Sequence, residues 1–296
     1  MKQTCTLLLI MAVMFTAGCS IARKFDKGRV APATFYTKIS FDTVKSVIML
    51  PFELEGRVQQ FLFDTGARLT SVQREELKGK RVTVRGATNR TIVNGTETIK
   101  SLKIGDVDFI NTFATNGDME GLKEQIPNFG GILGRSVIDK ANWLINYPKQ
   151  EIEIGSAHLI DESFTDLNVA YSNGAPYVMV SIAEEEYRMI IDMGSSSILN
   201  LPDTTDLAKE LQEQYEFKAI ERNRYTVGGA QQVVELITYL PEVSIGEMTF
   251  RNVRVNINKS SQMRLGMPFF KDYLIYIDNT NRDYKIKLAA GTSSKE

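Results

Sequence analysis

The sequence predicts an all-β chain made of two duplicated lobes. Three observations carry this prediction: a set of short motifs occurs twice in the same order, apolar residues between the motifs alternate with a period of two, and no strand–helix–strand rhythm of a doubly wound fold runs through the chain. With 296 residues, 43% hydrophobic, 21 Gly and 8 Pro, the chain is globular and long enough for two lobes with real cores. Lys+Arg number 35 and Asp+Glu 36, a formal charge of -1 that argues against a dedicated nucleic-acid binder. There is one histidine, so a histidine-based zinc site or a Ser-His-Asp triad would have to use His158 alone.

The elements follow in order. Lys2 precedes an apolar run from Thr6 to Phe15, too short to span a bilayer comfortably, and then Thr16-Ala17-Gly18-Cys19-Ser20. Small residues ahead of a cysteine resemble the bacterial lipoprotein box, with Thr16 where Leu is usual. The expectation is a signal peptide over 1–18, lipid on Cys19, and a lipidated N-terminus and tether over 19–39. Cys5 leaves with the signal, so the folded part has no cysteine and no disulfide. The resemblance places the chain on a bacterial envelope membrane. Ser20 after the cysteine points to the outer membrane, facing the periplasm or the surface.

The repeat begins with Ile48 to Thr70, which matches Pro176 to Leu199. Each stretch reads as an alternating strand, a polar turn, a second apolar strand and Asp-x-Gly. Ile104 to Asn111 and Ile245 to Asn252 then share the pattern IG[DE]xxFxN. Gly131-Ile132-Leu133-Gly134 and Met263-Arg264-Leu265-Gly266 come third, followed by strands at Trp143–Tyr147 and Leu274–Ile277. Further strands are expected at 81–84, 97–104, 232–236 and 251–257. The best helix is Asp203 to Tyr215, capped by Asp203 or Thr204, with short helices after the two glycine motifs. The expected units are a first lobe over 40–157, an inter-lobe linker over 158–173, a second lobe over 174–290 and a tail over 291–296.

Asp64-Thr65-Gly66 and Asp192-Met193-Gly194 each end an apolar strand. A carboxylate there is costly to bury without partners, and the glycine permits close backbone approach. Pseudo-twofold packing of duplicated lobes would bring the two turns face to face. Two carboxyls a few ångströms apart share a proton and can hold a water between them, one acting as base and the other polarising a carbonyl. That chemistry needs no metal, no cofactor and no histidine.

FLFDTGARLTSV at 61–72 with GILGRSVI at 131–138 resembles the retropepsin-like and pepsin-like aspartic proteases. Asp192 to Ser196 with Arg264-Leu265-Gly266 resembles the second copy found in two-lobed members. The resemblance implies two β-barrel lobes with a cleft between them and few short helices, in a monomer acting on peptide or protein substrates. It implies a catalytic pair of Asp64 and Asp192, with Thr65 bonding across the lobe interface. Gly66 and Gly194 would shape the turns, and Ser195 would hydrogen-bond Asp192. Ile132, Leu133, Gly134, Leu265 and Gly266 would back the turns. Gly86 and Ala87 would tip one flap hairpin, and Gly228 and Gly229 the matching loop. Two positions depart from the family pattern: Met193 stands where a hydroxyl residue is usual, and Arg68 follows Ala67. The implied function is an aspartic endopeptidase; the alternatives are a protease-like lipoprotein that binds peptides or an envelope partner without turnover, and a β lipoprotein of another fold.

Overall fold

The computed structural model describes residues 27–85, 91–172, 174–226 and 229–290. The expected signal peptide, Cys19, Gly86, Ala87, Gly228 and the 291–296 tail lie outside them.

The duplication is visible strand by strand. In the first half, Val47–Leu54, Arg57–Phe63, Phe129–Leu133, Ser71–Gln73, Val107–Gly117 and Thr91–Ile104 pair in that order, and the last returns to the first, closing a six-stranded barrel. In the second half, Ala175–Ile182, Glu185–Asp192, Arg264–Gly266, Leu199–Pro202, Met248–Asn258 and Gly229–Ile245 close in the same order. Even the parallel pairs correspond: Arg57–Phe63 with Phe129–Leu133, and Glu185–Asp192 with Arg264–Gly266. Closure pairs the strand edges that an open sheet would expose.

Turn chemistry explains why the motifs repeat. Gly105 and Gly246, at the hairpin turns of the IG[DE]xxFxN pattern, have φ of +53° and +57°. Asn111 and Asn252, at its end, have φ of +55° and +52°. Gly and Asn tolerate this left-handed conformation best, so both fixed positions of the motif follow from the backbone.

A six-stranded sheet joins the halves, in the order Thr165–Asp166, Asp283–Leu288, Tyr273–Asp278, Asn142–Asn146, Glu151–Gly155 and Tyr36–Ser40. Its central pair comes one strand from each half. The stretch 158–173 thus carries a strand across to this sheet. Part of the stretch 19–39, expected as a lipidated N-terminus and tether, lies in strands. Arg29–Ala31 pairs with Val107–Gly117, and Tyr36–Ser40 edges the joining sheet. Val30, Phe35 and Ile39 pack on the core, which gives these residues a reason to fold back.

One apolar cluster runs through both barrels and the joining sheet. Trp143 is fully buried in it, stacked on Phe109 at 6.3 Å and edge-on to Phe63 at 5.2 Å. Its indole N–H donates to Ile138 O at 2.8 Å, so the polar atom is not stranded. The helix expected at 203–215 spans Asp206–Gln214, with Leu207 and Leu211 buried. Thr205, not Asp203 or Thr204, caps it, its Oγ1 accepting from Ala208 N–H at 3.3 Å. The turn Pro202–Thr205 delays the helix start, Thr205 N–H donating to Pro202 O at 3.2 Å. The helices after the glycine motifs are single turns, Arg135–Ile138 and a 3-10 turn at Met267–Phe270.

Candidate active site

The two Asp-x-Gly turns meet at the junction of the barrels. Asp64 follows the strand Arg57–Phe63, and its N–H donates to Leu133 O at 3.0 Å. Asp192 ends the strand Glu185–Asp192 beside Gly266. The next links in the backbone correspond: Arg135 N–H donates to Ala67 O at 2.9 Å, and Met267 N–H to Ser195 O at 3.0 Å. Glycine is required at 134 and 266 by close packing. A Cβ at Gly134 would lie 2.4 Å from Leu69 C, and one at Gly266 2.0 Å from Ser197 O. Ile132, Leu133 and Leu265 are buried in the paired strands behind the turns.

Each turn glycine faces the opposite carboxyl. A Cβ at Gly66 would sit 2.8 Å from Asp192 Cγ, and a Cβ at Gly194 2.5 Å from Asp64 Cγ. Any side chain there would push the pair apart. The Asp64 and Asp192 carboxyls are close enough for the charge on one to act on the other. Asp64 is half-buried and Asp192 only 6% exposed. Burial first, then the Asp192 charge, pushes the Asp64 carboxyl up to about 8. The Ala67 N–H, at 2.9 Å from Asp64 Oδ1, and the Arg264 charge pull the other way.

Thr65 bridges the turns from below. Its hydroxyl donates to Ile191 O at 2.8 Å and accepts from Met193 N–H at 3.0 Å. Thr65 and Met193 are both fully buried. At the symmetric place the Met193 thioether offers no O–H donor, so the hydroxyl bridge runs one way only. Ser195 differs from the expectation. Its N–H donates to Asp192 O at 3.0 Å, while its hydroxyl accepts from Ser197 N–H at 3.4 Å. The side-chain oxygen Asp192 Oδ1 is met by Gly194 N–H at 3.1 Å, because the tight turn aims that amide inward.

Arg264 is the residue the sequence reading passed over. Its Nη1 donates to Asp192 Oδ2 at 2.6 Å, a charge-assisted bond to one member of the pair only. The first-lobe residue in the same register is Ile132. An arginine inside an otherwise apolar motif was the available signal. Arg224, also unforeseen, lies near Arg264 and reaches Glu235 Oε1 at 3.2 Å and Asn200 Oδ1 at 3.2 Å.

The pair opens into a cleft of about 740 Å³. Thr83 and Val84, from the hairpin Val82–Arg85 with Thr91–Ile104, line it from one lobe. Tyr225, from the hairpin Lys218–Thr226 with Gly229–Ile245, lines it from the other. Gly229, at the second tip, has φ of +92° and no neighbour within 4 Å of a Cβ placed there. Arg68 is among the residues that line the cleft. His158 is absent from the lining and lies against Tyr276, 3.3 Å from its hydroxyl.

No curated protein matches the chain by sequence. A family model described as aspartyl protease matches residues 178–269, which carry the second Asp-x-Gly turn, the second hairpin and Arg264. That part of the chain is therefore similar to aspartyl proteases, and it sits in a two-lobed all-β fold.

Proposed function

We propose that the chain is an aspartic endopeptidase that hydrolyses peptide bonds with a water held between Asp64 and Asp192. The observation that carries the reading is the reciprocal seating of the two turns, each glycine against the other carboxyl. Arg264 gives the pair a polarity. Its guanidinium is bonded to Asp192 Oδ2 and not to Asp64, while burial favours the proton on Asp64. The charged carboxylate takes a proton from water as its oxygen adds to the scissile carbonyl carbon. Asp64 donates its proton to the carbonyl oxygen. The C–N bond of the tetrahedral intermediate then breaks as the amine takes a proton from the pair, and a hydroxyl of the intermediate gives its proton back to the pair as the carbonyl re-forms, so the pair again holds one shared proton. The hairpins at Thr83 and Tyr225 act as flaps over a bound peptide. Lipid on Cys19 holds the enzyme at the envelope membrane, with 40–157 and 174–290 as its lobes.

A second reading has one observation in its favour. Arg264 already occupies Asp192 Oδ2, which suits a domain that binds peptides without cutting them. Cleavage of a random peptide library by the detergent-solubilised full chain, beside an Asp64→Asn, Asp192→Asn double variant, separates the two. Products from the wild type alone support the peptidase. Equal binding by both proteins with no products supports the second reading.

A further inference from the structure

The two barrels differ in one place that faces the cleft. In the first barrel, Met49, Leu62 and Ile132 occupy neighbouring positions on adjacent strands. They are 1%, 6% and 7% exposed, covered by Met119, Leu122, Ile126 and Phe129. That cover comes from the segment between Val107–Gly117 and Phe129–Leu133 and from the start of the latter strand. The second barrel has Tyr177, Ile190 and Arg264 in the same register. There the segment between Met248–Asn258 and Arg264–Gly266 is only 259–263, and its Ser260, Ser261 and Gln262 line the cleft rather than close it. Tyr177, Ile190 and Arg264 are half-buried and open to the cleft.

This uncovered wall is positively charged. Arg188, next to Ile190 on the same strand face, is exposed and lines the cleft. Its guanidinium lies over the Tyr177 ring, 4.2 Å from the centroid. It forms no ion pair among the described residues, whereas Arg264 is committed to Asp192 and Arg224 to Glu235. The only carboxylates among the described residues lining the cleft are Asp64 and Asp192. A guanidinium stacked on an aromatic ring is pre-oriented, and its free edge matches a carboxylate bidentately.

Resting on the peptidase reading of this cleft, we propose that the second-lobe wall selects peptides with an acidic side chain, Glu or Asp, and that Arg188 on Tyr177 receives it. Arg188 lies four residues before Asp192 on one strand, about 13 Å along it. The acidic residue therefore flanks the scissile bond rather than forming it. Ile190 and the ring of Tyr177 floor the pocket beneath the aliphatic part of that side chain, and Arg188 binds its charged end.

The experiment measures binding and cleavage separately. Fluorescein-labelled octapeptides with a central Leu-Phe and one Glu moved through the flanking positions are compared with Gln isosteres. Anisotropy on the full-length Asp64→Asn chain reads binding without turnover. At one position the Glu peptide binds at least tenfold tighter than the Gln peptide. In the Asp64→Asn background, adding Arg188→Gln brings the ratio near one, and Arg188→Glu makes a Lys peptide the better ligand. Arg188 is exposed, and unchanged circular dichroism melts confirm that the variants fold. Equal binding of Glu and Gln peptides everywhere, a Glu preference that survives Arg188→Gln, or no binding at all overturns the proposal. Glu-selective binding that depends on Arg188, with no cleavage by the wild type, keeps the site and overturns the peptidase instead. Equal cleavage of Glu and Gln peptides keeps the peptidase and overturns the acidic preference.

Discussion

Replacing Arg264 by Ile gives the second lobe the residue that the first lobe carries in register at Ile132. The change removes the guanidinium 2.6 Å from Asp192 Oδ2. A hydrogen bond between charged groups contributes about 1.5–3 kcal/mol, and a pKa unit corresponds to about 1.4 kcal/mol. On the proposed peptidase reading, the carboxyl pair works with one proton on it, so the acid limb of kcat/KM marks the loss of the first of its two protons. Arg264 favours the singly charged pair over the neutral one. Without it, the pair holds its proton to higher pH, and the acid limb moves up. The alkaline limb, where Asp64 gives up its proton, also moves up, because the Arg264 charge lowers that carboxyl. The assay is kcat/KM from pH 3 to 9 on one fluorogenic peptide, with thermal melts at each pH to show the fold is intact. An acid limb that stays in place or moves down in a folded variant refutes the assignment of Arg264 as the residue that holds charge on the pair.

Four further variants test the same reading. Asp64→Asn abolishes turnover and raises the melting temperature. A carboxyl raised to about 8 favours folding fully below its unfolded value near 4 and loses that contribution as pH rises to 8. The gain therefore appears above pH 4 and grows to about pH 8, and about 1 kcal/mol shows as roughly 2–4 °C in scanning calorimetry. Thr65→Ala strands the buried Ile191 C=O and Met193 N–H, costs about 1–3 kcal/mol in denaturant melts and lowers turnover roughly tenfold, whereas Met193→Thr restores a donor under the pair and holds or raises turnover despite a smaller buried side chain. Cys19→Ala moves the chain from the detergent phase to the aqueous phase in a Triton X-114 partition, and an unchanged partition refutes lipid anchoring.

The duplication was legible because its motifs sit where backbone geometry leaves little choice. Gly105 and Gly246 turn hairpins at positive φ, and Gly134 and Gly266 pack against main chain. The positions of the two Asp-x-Gly turns followed from the same regularity. Strand lengths were less legible. The hairpin strands Thr91–Ile104 and Gly229–Ile245 extend well beyond the stretches 97–104 and 232–236 that alternation marked. Their outer arms leave the barrel, where neither face is wholly buried and the period of two fades. The folding of Arg29–Ala31 was hidden for a related reason: a short strand on a barrel edge buries too little to leave a pattern.

Arg264 escaped notice because a repeat directs attention to what its copies share, while the chemistry of the site lies in where they differ. At one register position Ile132 completes a covered apolar face and Arg264 grips a carboxylate. At another, Thr65 supplies a hydroxyl bridge and Met193 fills core. Two identical lobes would present two equivalent carboxyls, and the proton would have no preferred home. The one-sided guanidinium breaks that equivalence at the pair. The missing apolar cover breaks it again at the second-lobe wall, leaving Tyr177 and Arg188 open on one side of the cleft only. An extended peptide has direction, and a cleft that reads direction must present unlike walls. On the proposed peptidase reading, the departures from the repeat serve both tasks that symmetry cannot: assigning the proton and orienting the chain to be cut.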